Sequence, residues 1–211
     1  MLSRERLRIL WSWSEKWLCL IWIAGMLYLA AGSLKNNFYF LFNDTIFPNS
    51  DFEKGTLENW TAQGDAFRFQ PVFGDRSRAR GKGWANFRGN YWIGTGETDR
   101  THLIPPPGWR ATDATGDLVS MPFTIRRDRI AFLLSGGSHS DKTGVMLEIE
   151  GMPAVFAIAG YRSPTDCRMF RIVWNVSRWK GKTARLIIRD HATSQDGPWG
   201  YVNADDFRYV P

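Results

Sequence analysis

Two adjacent carboxylates, Asp205 and Asp206, lie in a segment that otherwise has the composition of a β-strand. Its other residues are largely aromatic or β-branched, types that favour strands, whereas Asp is depleted there. A buried carboxylate is costly unless it is paired or bound to a metal. Because successive side chains of a strand point to opposite faces, one of the two is expected to point inward. The pattern predicts a partner for that carboxylate or a position at the rim of a sheet.

The remaining motifs that could carry chemistry do not complete a catalytic site. The histidines, His102, His139 and His191, are far apart and lack the spacing of metal ligands. Residues 94–99 (GTGETD) contain GxG but not the strand, GxGxxG and helix that nucleotide binding requires. Residues 135–140 (SGGSHS) lack a G-x-S-x-G elbow, and no pair of carboxylates stands out as a glycosidase acid and nucleophile. We therefore predict that the chain is not an enzyme.

Charge excludes one class of partner. The 211 residues carry a net charge of +6, and no lysine run or nucleic-acid motif is present, so we predict no nucleic-acid partner. The densest basic cluster, residues 75–84 (DRSRARGKGW), is expected to be a solvated loop. The alternative is a contact for anionic lipid headgroups or for an acidic partner surface. Cys19 and Cys167 are not expected to form a disulfide, because Cys19 lies in an apolar run.

The elements that position these groups begin with an apolar segment. Residues 17–34 contain no charged side chain, and as a helix they would span about 27 Å, close to the hydrocarbon core of a bilayer. Basic residues precede the segment, which places residues 1–16 in the cytoplasm and the rest in the periplasm or outside the cell. We predict an uncleaved anchor in a bacterial inner membrane. The alternative is a signal peptide cleaved near residues 30–32.

Aromatic residues lie before, within and after this segment. We predict that they contact lipid or the subunits of a membrane complex; they are Trp11, Trp13, Trp17, Trp22, Phe38, Tyr39, Phe40 and Phe42. Residues 35–48 are too aromatic for a free linker, so they form a membrane-proximal connector in this interpretation.

Residues 49–211 have the pattern of a mainly β domain. Short apolar or alternating runs are separated by Gly, Pro, Asp and Ser, which is typical of an antiparallel sandwich. The predicted strands are residues 66–72, 84–88, 91–94, 118–125, 129–134, 145–150, 154–159, 170–176, 184–190 and 201–210.

Three segments resemble a known family of domains. Residues 49–60 (NSDFEKGTLENW) resemble the opening strand of galactose-binding-like, carbohydrate-binding jelly rolls. Residues 118–139 resemble the central strands of these domains, and residues 181–207 resemble their end. The combination is similar to the domain that accompanies fructan- and sucrose-cleaving glycosidases, and it covers nearly all of residues 49–210. The resemblance implies an antiparallel jelly-roll β-sandwich.

The resemblance also implies a structural calcium ion as cofactor. In such domains an acidic residue of the first strand and one of the last often share the ion, which binds oxygen ligands. Here Asp51 or Glu53 would meet Asp205. The alternative is that Asp205 accepts hydrogen bonds from backbone N–H groups or pairs with an arginine.

A sugar site is a second implication. Trp92, Trp109 and Trp199 are expected in or near loops, where they could stack on sugar rings, and Arg162 and Asp190 could bind hydroxyls. The alternative is that these tryptophans pack in the core or at its rim.

Two functions follow from these patterns. The first is a non-catalytic, single-pass membrane subunit whose β-sandwich stabilises or bridges a larger complex, such as a bacterial photosynthetic or respiratory assembly. The alternative is a membrane-anchored, lectin-like module that binds carbohydrate.

Overall fold

The computed structural model describes residues 45–79, 83–97, 113–137, 139–160, 167–196 and 200–211. The predicted anchor, residues 17–34, and its aromatic contacts lie outside the described residues and remain predictions. Within the described ranges, no helix is long and apolar enough to cross a membrane.

Eleven strands, one short helix and two 3-10 turns make up the described secondary structure. The strands are β1 (Trp60–Gly64), β2 (Val72–Phe73), β3 (Tyr91–Gly94), β4 (Gly116–Ser120), β5 (Phe123–Thr124), β6 (Arg129–Gly136), β7 (Thr143–Ile149), β8 (Met152–Ile158), β9 (Phe170–Asn175), β10 (Thr183–Asp190) and β11 (Val202–Val210). Helix α1 is Arg76–Ala79, and the 3-10 turns are Ser177–Trp179 and Ser194–Asp196.

The strands form two sheets in which every pairing is antiparallel. A six-stranded sheet has the order β1-β4-β10-β7-β8, with β5 also paired to β10, and a five-stranded sheet has the order β2-β3-β11-β6-β9. Strand β10 shows why the sheets pack face to face: Ala184, Leu186 and Ile188 are buried in the core, whereas Thr183 and Arg185 are exposed. The predicted mainly β, antiparallel sandwich is confirmed.

Aromatic rings fill the centre of the core. The ring of Phe207 stacks on Phe132 with centroids 5.1 Å apart, and its neighbours Trp60 and Phe52 lie at 5.8 and 6.3 Å. The described residues belong to one compact unit, Asp44–Pro211. Ile46 is also part of this core, so the packed unit includes residues before position 49.

A second, smaller apolar cluster lies on the outer face of the five-stranded sheet. Its buried members are Val72, Ala85, Trp92, Leu133 and Met169, with Phe87 packed against them. Leu133 belongs to this cluster, whereas the flanking Phe132 and Leu134 face the main core, as the alternation of β6 requires. We call residues 83–90, which contribute Ala85 and Phe87, the cover segment.

Two predicted strands are wrong. Residues 84–88 alternate like a strand, but they pair with no sheet, because their apolar side chains pack onto the outer face of a sheet that already exists. Residues 66–72 are mostly turns with Ala66 and Phe67 in the main core, and Pro71 has no N–H to donate to a ladder. Strand β1, by contrast, was not predicted.

Candidate functional site

The cover segment is fixed to the sandwich by two hydrogen bonds near its middle, one between backbone groups and one from a side chain. The Met169 N–H donates to the Ala85 carbonyl at 2.8 Å. The Asn86 Nδ2 donates in return to the Met169 carbonyl at 2.9 Å. These reciprocal bonds tie the segment to the residue that precedes β9, so its position on the sheet is defined.

Carboxylates hold the other end of the cover segment. The Arg88 N–H donates to Asp205 Oδ2 at 2.7 Å. The Asn90 N–H lies 2.9 and 3.0 Å from the two carboxylate oxygens of Glu53, and the Tyr91 N–H donates to Glu53 Oε1 at 3.0 Å. A Cβ at Gly89 would lie only 2.2 Å from the Glu53 carboxyl carbon, so glycine is required for this close approach.

Asp205 is completely buried beneath the cover segment. An irregularity in the pairing of β11 with β6 falls between Asp205 and Arg208, and Asp206 there has a φ of +56°. The Asp206 N–H donates to Asp205 Oδ1 at 2.7 Å. Burial raises the pKa of Asp205 well above its usual range, and the neighbouring charge of Asp206 acts in the same direction. The carboxylate that the sequence predicts to need a partner therefore has two backbone donors.

Asp206 belongs to an ion-pair network beside Asp205. It pairs with Arg208 Nε and, through Oδ2, with Arg88 Nε at 3.2 Å. Arg208 also reaches Asp51 Oδ2 through Nη2 at 3.0 Å. Burial raises the pKa of Asp206, although Arg208 and Arg88 oppose this shift. Through Arg208 the network joins Asp51, at the start of the domain, to the last strand.

The acidic residues expected to bind calcium contact protein donors in the structure. Glu53 and Asp205 accept backbone N–H groups, and Asp51 pairs with Arg208. Calcium takes six to eight oxygen ligands. In this structure each of the three carboxylates instead accepts a hydrogen bond or an ion pair from a protein N–H group. Among the described residues, no three His, Cys, Asp or Glu side chains are grouped as a metal site would require. The described contacts favour the alternative, in which Asp205 accepts backbone hydrogen bonds, while the calcium ion is untested and rests on the resemblance alone.

A chelator distinguishes the two interpretations. We expect EDTA to leave the melting temperature of the purified full chain unchanged, because hydrogen bonds and ion pairs already satisfy the carboxylates. A calcium ion present at 100 times its Kd would stabilise the fold by about 2.7 kcal/mol, which corresponds to a shift of about 5–10 °C for a domain of this size. A fall of that size in differential scanning calorimetry, reversed by added calcium, would contradict the expectation.

Two of the candidate sugar-binding residues, Trp92 and Asp190, lie among the described residues, and both are buried. Trp92 is fully buried in the second cluster, where its Nε1 donates to the Gly74 carbonyl at 2.9 Å and Phe87 stacks on its ring. Its ring is therefore core packing and offers no face to a ligand. Asp190 is also buried, at the end of β10. Trp109, Arg162 and Trp199 lie outside the described residues.

Trp84 is the aromatic residue that sequence reasoning missed. Its side chain is 59% exposed, although it directly precedes the buried Ala85. Asn86 and Arg88, two and four residues further on, are exposed as well. The alternation of residues 84–88 could have predicted the exposure of Trp84. It places Trp84, Asn86 and Arg88 on one side of the segment and the two apolar residues on the other. The exposed side of the cover segment thus presents one large aromatic ring with polar neighbours.

His191 contacts a carboxylate in the six-stranded sheet. His191 Nε2 lies 3.3 Å from Asp117 Oδ1, and the same oxygen accepts a hydrogen bond from Arg189 Nε at 3.0 Å. These contacts orient the Asp117 carboxylate of β4 beside the end of β10.

One sequence relative covers part of this chain. A segment of 91 residues, 43% of the chain, is 36% identical to the candidate glycosyl hydrolase ecdE of Aspergillus rugulosus. The match spans only 12% of that relative's length. No protein-family model matches the chain.

Solved structures with a similar fold include a carbohydrate-binding module and an adhesin domain. TmCBM61, solved in complex with β-1,4-galactotriose, is 14% identical with a TM-score of 0.46, covering 79% of this chain and 99% of that one. The K1 adhesin domain of Lys-gingipain from Porphyromonas gingivalis is 9% identical with a TM-score of 0.46, over 76% of this chain and 96% of that one. At these values the similarities say nothing about a ligand of this chain.

Proposed function

We propose that the β-sandwich is a non-catalytic carbohydrate-binding module. The observation that carries this proposal is Trp84, an indole that is 59% exposed on a segment fixed to the sheet by hydrogen bonds. Aromatic faces bury large apolar area in a defined geometry, and a sugar ring offers a matching apolar face. Because the cover segment is already ordered, a ligand would not have to order it on binding.

The sequence relative supports the same proposal. The matched segment is a small part of a candidate glycosyl hydrolase, a size that suits an accessory domain. Under this proposal the sandwich binds glycan and leaves the chemistry to another domain or protein.

The connectivity supports a jelly roll as the finer description of the fold. From β3 onward, most successive strands alternate between the two sheets: β3, β6, β9 and β11 lie in one and β4, β7 and β10 in the other. Two connections interrupt this alternation, because β4 and β5, like β7 and β8, follow each other within the six-stranded sheet.

We also propose that residues 17–34 tether the module to a membrane, with the sandwich outside the cytoplasm. The support is the uncharged run and the basic residues before it. A structural role in a larger membrane complex rests on the same segment, and no contact among the described residues favours it over glycan binding.

Replacement of Trp84 tests the proposal. We expect the purified full chain to bind members of a glycan array, and Trp84→Ala to weaken that binding about tenfold or more, since loss of a stacking ring costs about 1.4 kcal/mol or more. Val173→Ala is the matched control, because Val173 is an apolar residue that is 49% exposed on the same sheet. Equal losses for both variants would contradict the proposal, as would an array without any bound glycan.

A further inference from the structure

We infer that one end of the sandwich docks on the anionic phospholipid headgroups of a membrane. This inference rests on the proposed tether, residues 17–34, and adds which part of the domain faces the bilayer. It follows from the charges at the two ends of the strands and from the point at which the chain enters the domain.

Two segments meet at one end of the sandwich. Residues 125–129 lead into β6, and residues 176–182 connect β9 to β10. The Val176 N–H donates to the Asp128 carbonyl at 2.8 Å, and Lys180 Nζ lies 2.9 Å from Asp128 Oδ1. We call these two segments together the basic end.

The basic end carries an excess of positive charge. Asp128 is the acidic residue of the two segments, whereas their basic residues, all of them exposed, are Arg126, Arg127, Arg129, Arg178, Lys180 and Lys182. Lys180 pairs with Asp128. Lys182 pairs with Glu150, in the turn between β7 and β8. These two ion pairs neutralise the lysines, so the net charge depends on the arginines.

Two of the arginines are held by neutral groups. Arg126 Nη2 donates to the Ile46 carbonyl at 3.3 Å. The guanidinium of Arg178 lies 3.9 Å from the centre of the Trp179 ring. A carbonyl oxygen or an aromatic ring orients a guanidinium but does not neutralise it. Both side chains are exposed, so their charge is available to phosphate, which a guanidinium binds through paired hydrogen bonds.

The opposite ends of the strands are acidic. Strand β10 runs from the basic end to this acidic end, about 26 Å for its eight residues. The cations described there, Lys142 and Arg189, are each paired with an aspartate. The carboxylates described there outnumber them, and they are Asp113, Asp117, Asp141 and Asp196. An anionic surface therefore attracts one end of the domain and repels the other.

The chain enters the domain at the basic end. Thr45, the first described residue, forms a bridge with Arg208 near the end of β11, and the next residue, Ile46, contacts Arg126. Ten residues, 35–44, separate Thr45 from the predicted anchor, and a chain of that length spans at most about 35 Å. Because this short connection keeps the basic end within reach of the bilayer, lipid headgroups are favoured over an acidic protein as its partner.

Two fluorescent labels on the full chain test which end faces the bilayer. Ser177→Cys labels the basic end and Ser140→Cys the acidic end, each combined with Cys19→Ser, because Cys167 is buried. The chain is reconstituted into phosphatidylcholine vesicles with and without phosphatidylglycerol, and quenching by a lipid with a nitroxide on its headgroup is measured. We expect stronger quenching at residue 177 than at residue 140 when phosphatidylglycerol is present, and we expect added salt to remove this difference.

Matched charge variants locate the effect. Arg126→Gln combined with Arg178→Gln should remove the lipid-dependent quenching, because each basic side chain near an anionic surface contributes about fivefold to binding, and the two together about 25-fold. Lys142→Gln combined with Arg189→Gln removes the same charge from the acidic end and should leave the quenching unchanged. Thermal melting of each variant checks that it is folded.

The outcomes separate this inference from the proposed tether. Extraction of the chain from neutral vesicles by alkaline carbonate would overturn the tether and this inference with it. A chain that resists extraction but shows equal quenching of both labels would overturn the inference alone and would favour an acidic protein as the partner. Quenching at residue 177 that does not depend on phosphatidylglycerol, or that both double variants reduce equally, would also overturn the inference.

Discussion

Phe207→Ala is expected to lower the free energy of unfolding by about 3–5 kcal/mol, the usual cost of removing a fully buried aromatic side chain. Phe207 is completely buried and contacts three other aromatic rings, Phe52, Trp60 and Phe132. These rings come from the start of the domain, from β1 and from β6, so the cavity would loosen contacts between both sheets. Urea unfolding followed by tryptophan fluorescence measures the loss.

Two further variants make this result specific. Phe207→Leu retains part of the volume and should cost about 1–2 kcal/mol. Val173→Ala, at an exposed position, should change the free energy of unfolding by less than about 0.5 kcal/mol. A cost below 1 kcal/mol for Phe207→Ala would mean that Phe207 is not at the centre of the core.

Asp205→Ala is expected to lower the free energy of unfolding by about 2–4 kcal/mol, because it leaves one buried and one partly buried N–H group without an acceptor. These are the backbone donors of Arg88 and Asp206. The cover segment would lose one of its attachments, so exchange of the Arg88 amide hydrogen should accelerate along with the loss of stability. Asp205→Asn retains an acceptor and should cost less.

The pH dependence of Asp205→Asn follows from the direction of the pKa shift. Burial raises the pKa of Asp205 in the folded protein, so the folded state binds this proton more tightly than the unfolded chain. The resulting stabilisation is complete below the unfolded pKa of about 3.9 and is lost as the pH rises through the folded pKa. Asparagine does not ionise, so the stability difference between Asp205→Asn and the wild type should narrow as the pH rises from about 4 to 8. A difference that widens would contradict this account.

The strands with one buried face could be predicted from sequence. In β10 Ala184, Leu186 and Ile188 face the main core with a period of two, and this period specifies both the element and its inward face, although Ile187 on the opposite face is also buried. Residues 84–88 carry the same period but form no strand, since their apolar side chains cover a sheet assembled from distant segments. The alternation of apolar residues predicts which side chains are buried. Whether the segment pairs as a strand or covers a sheet depends on segments that are distant in sequence.

The candidate site depends on contacts that are distant in sequence. The chain contains eleven Trp, and loop position suggested Trp92, which is buried, while Trp84 is exposed. The hydrogen bond from the Arg88 N–H to Asp205 could not be predicted from sequence either, because the two residues are 117 positions apart in the chain. The cost of a buried carboxylate predicted that a partner exists, but only the folded arrangement identifies the backbone of the cover segment as that partner.

The most direct test of the central claim is a calorimetric titration of the full chain with the strongest glycan from the array, repeated for Trp84→Ala and Val173→Ala. We predict that the Kd rises about tenfold or more for Trp84→Ala and is unchanged for Val173→Ala. A Trp84→Ala variant that remains folded and binds this glycan with the wild-type Kd would show that Trp84 does not carry the binding, and would contradict the account.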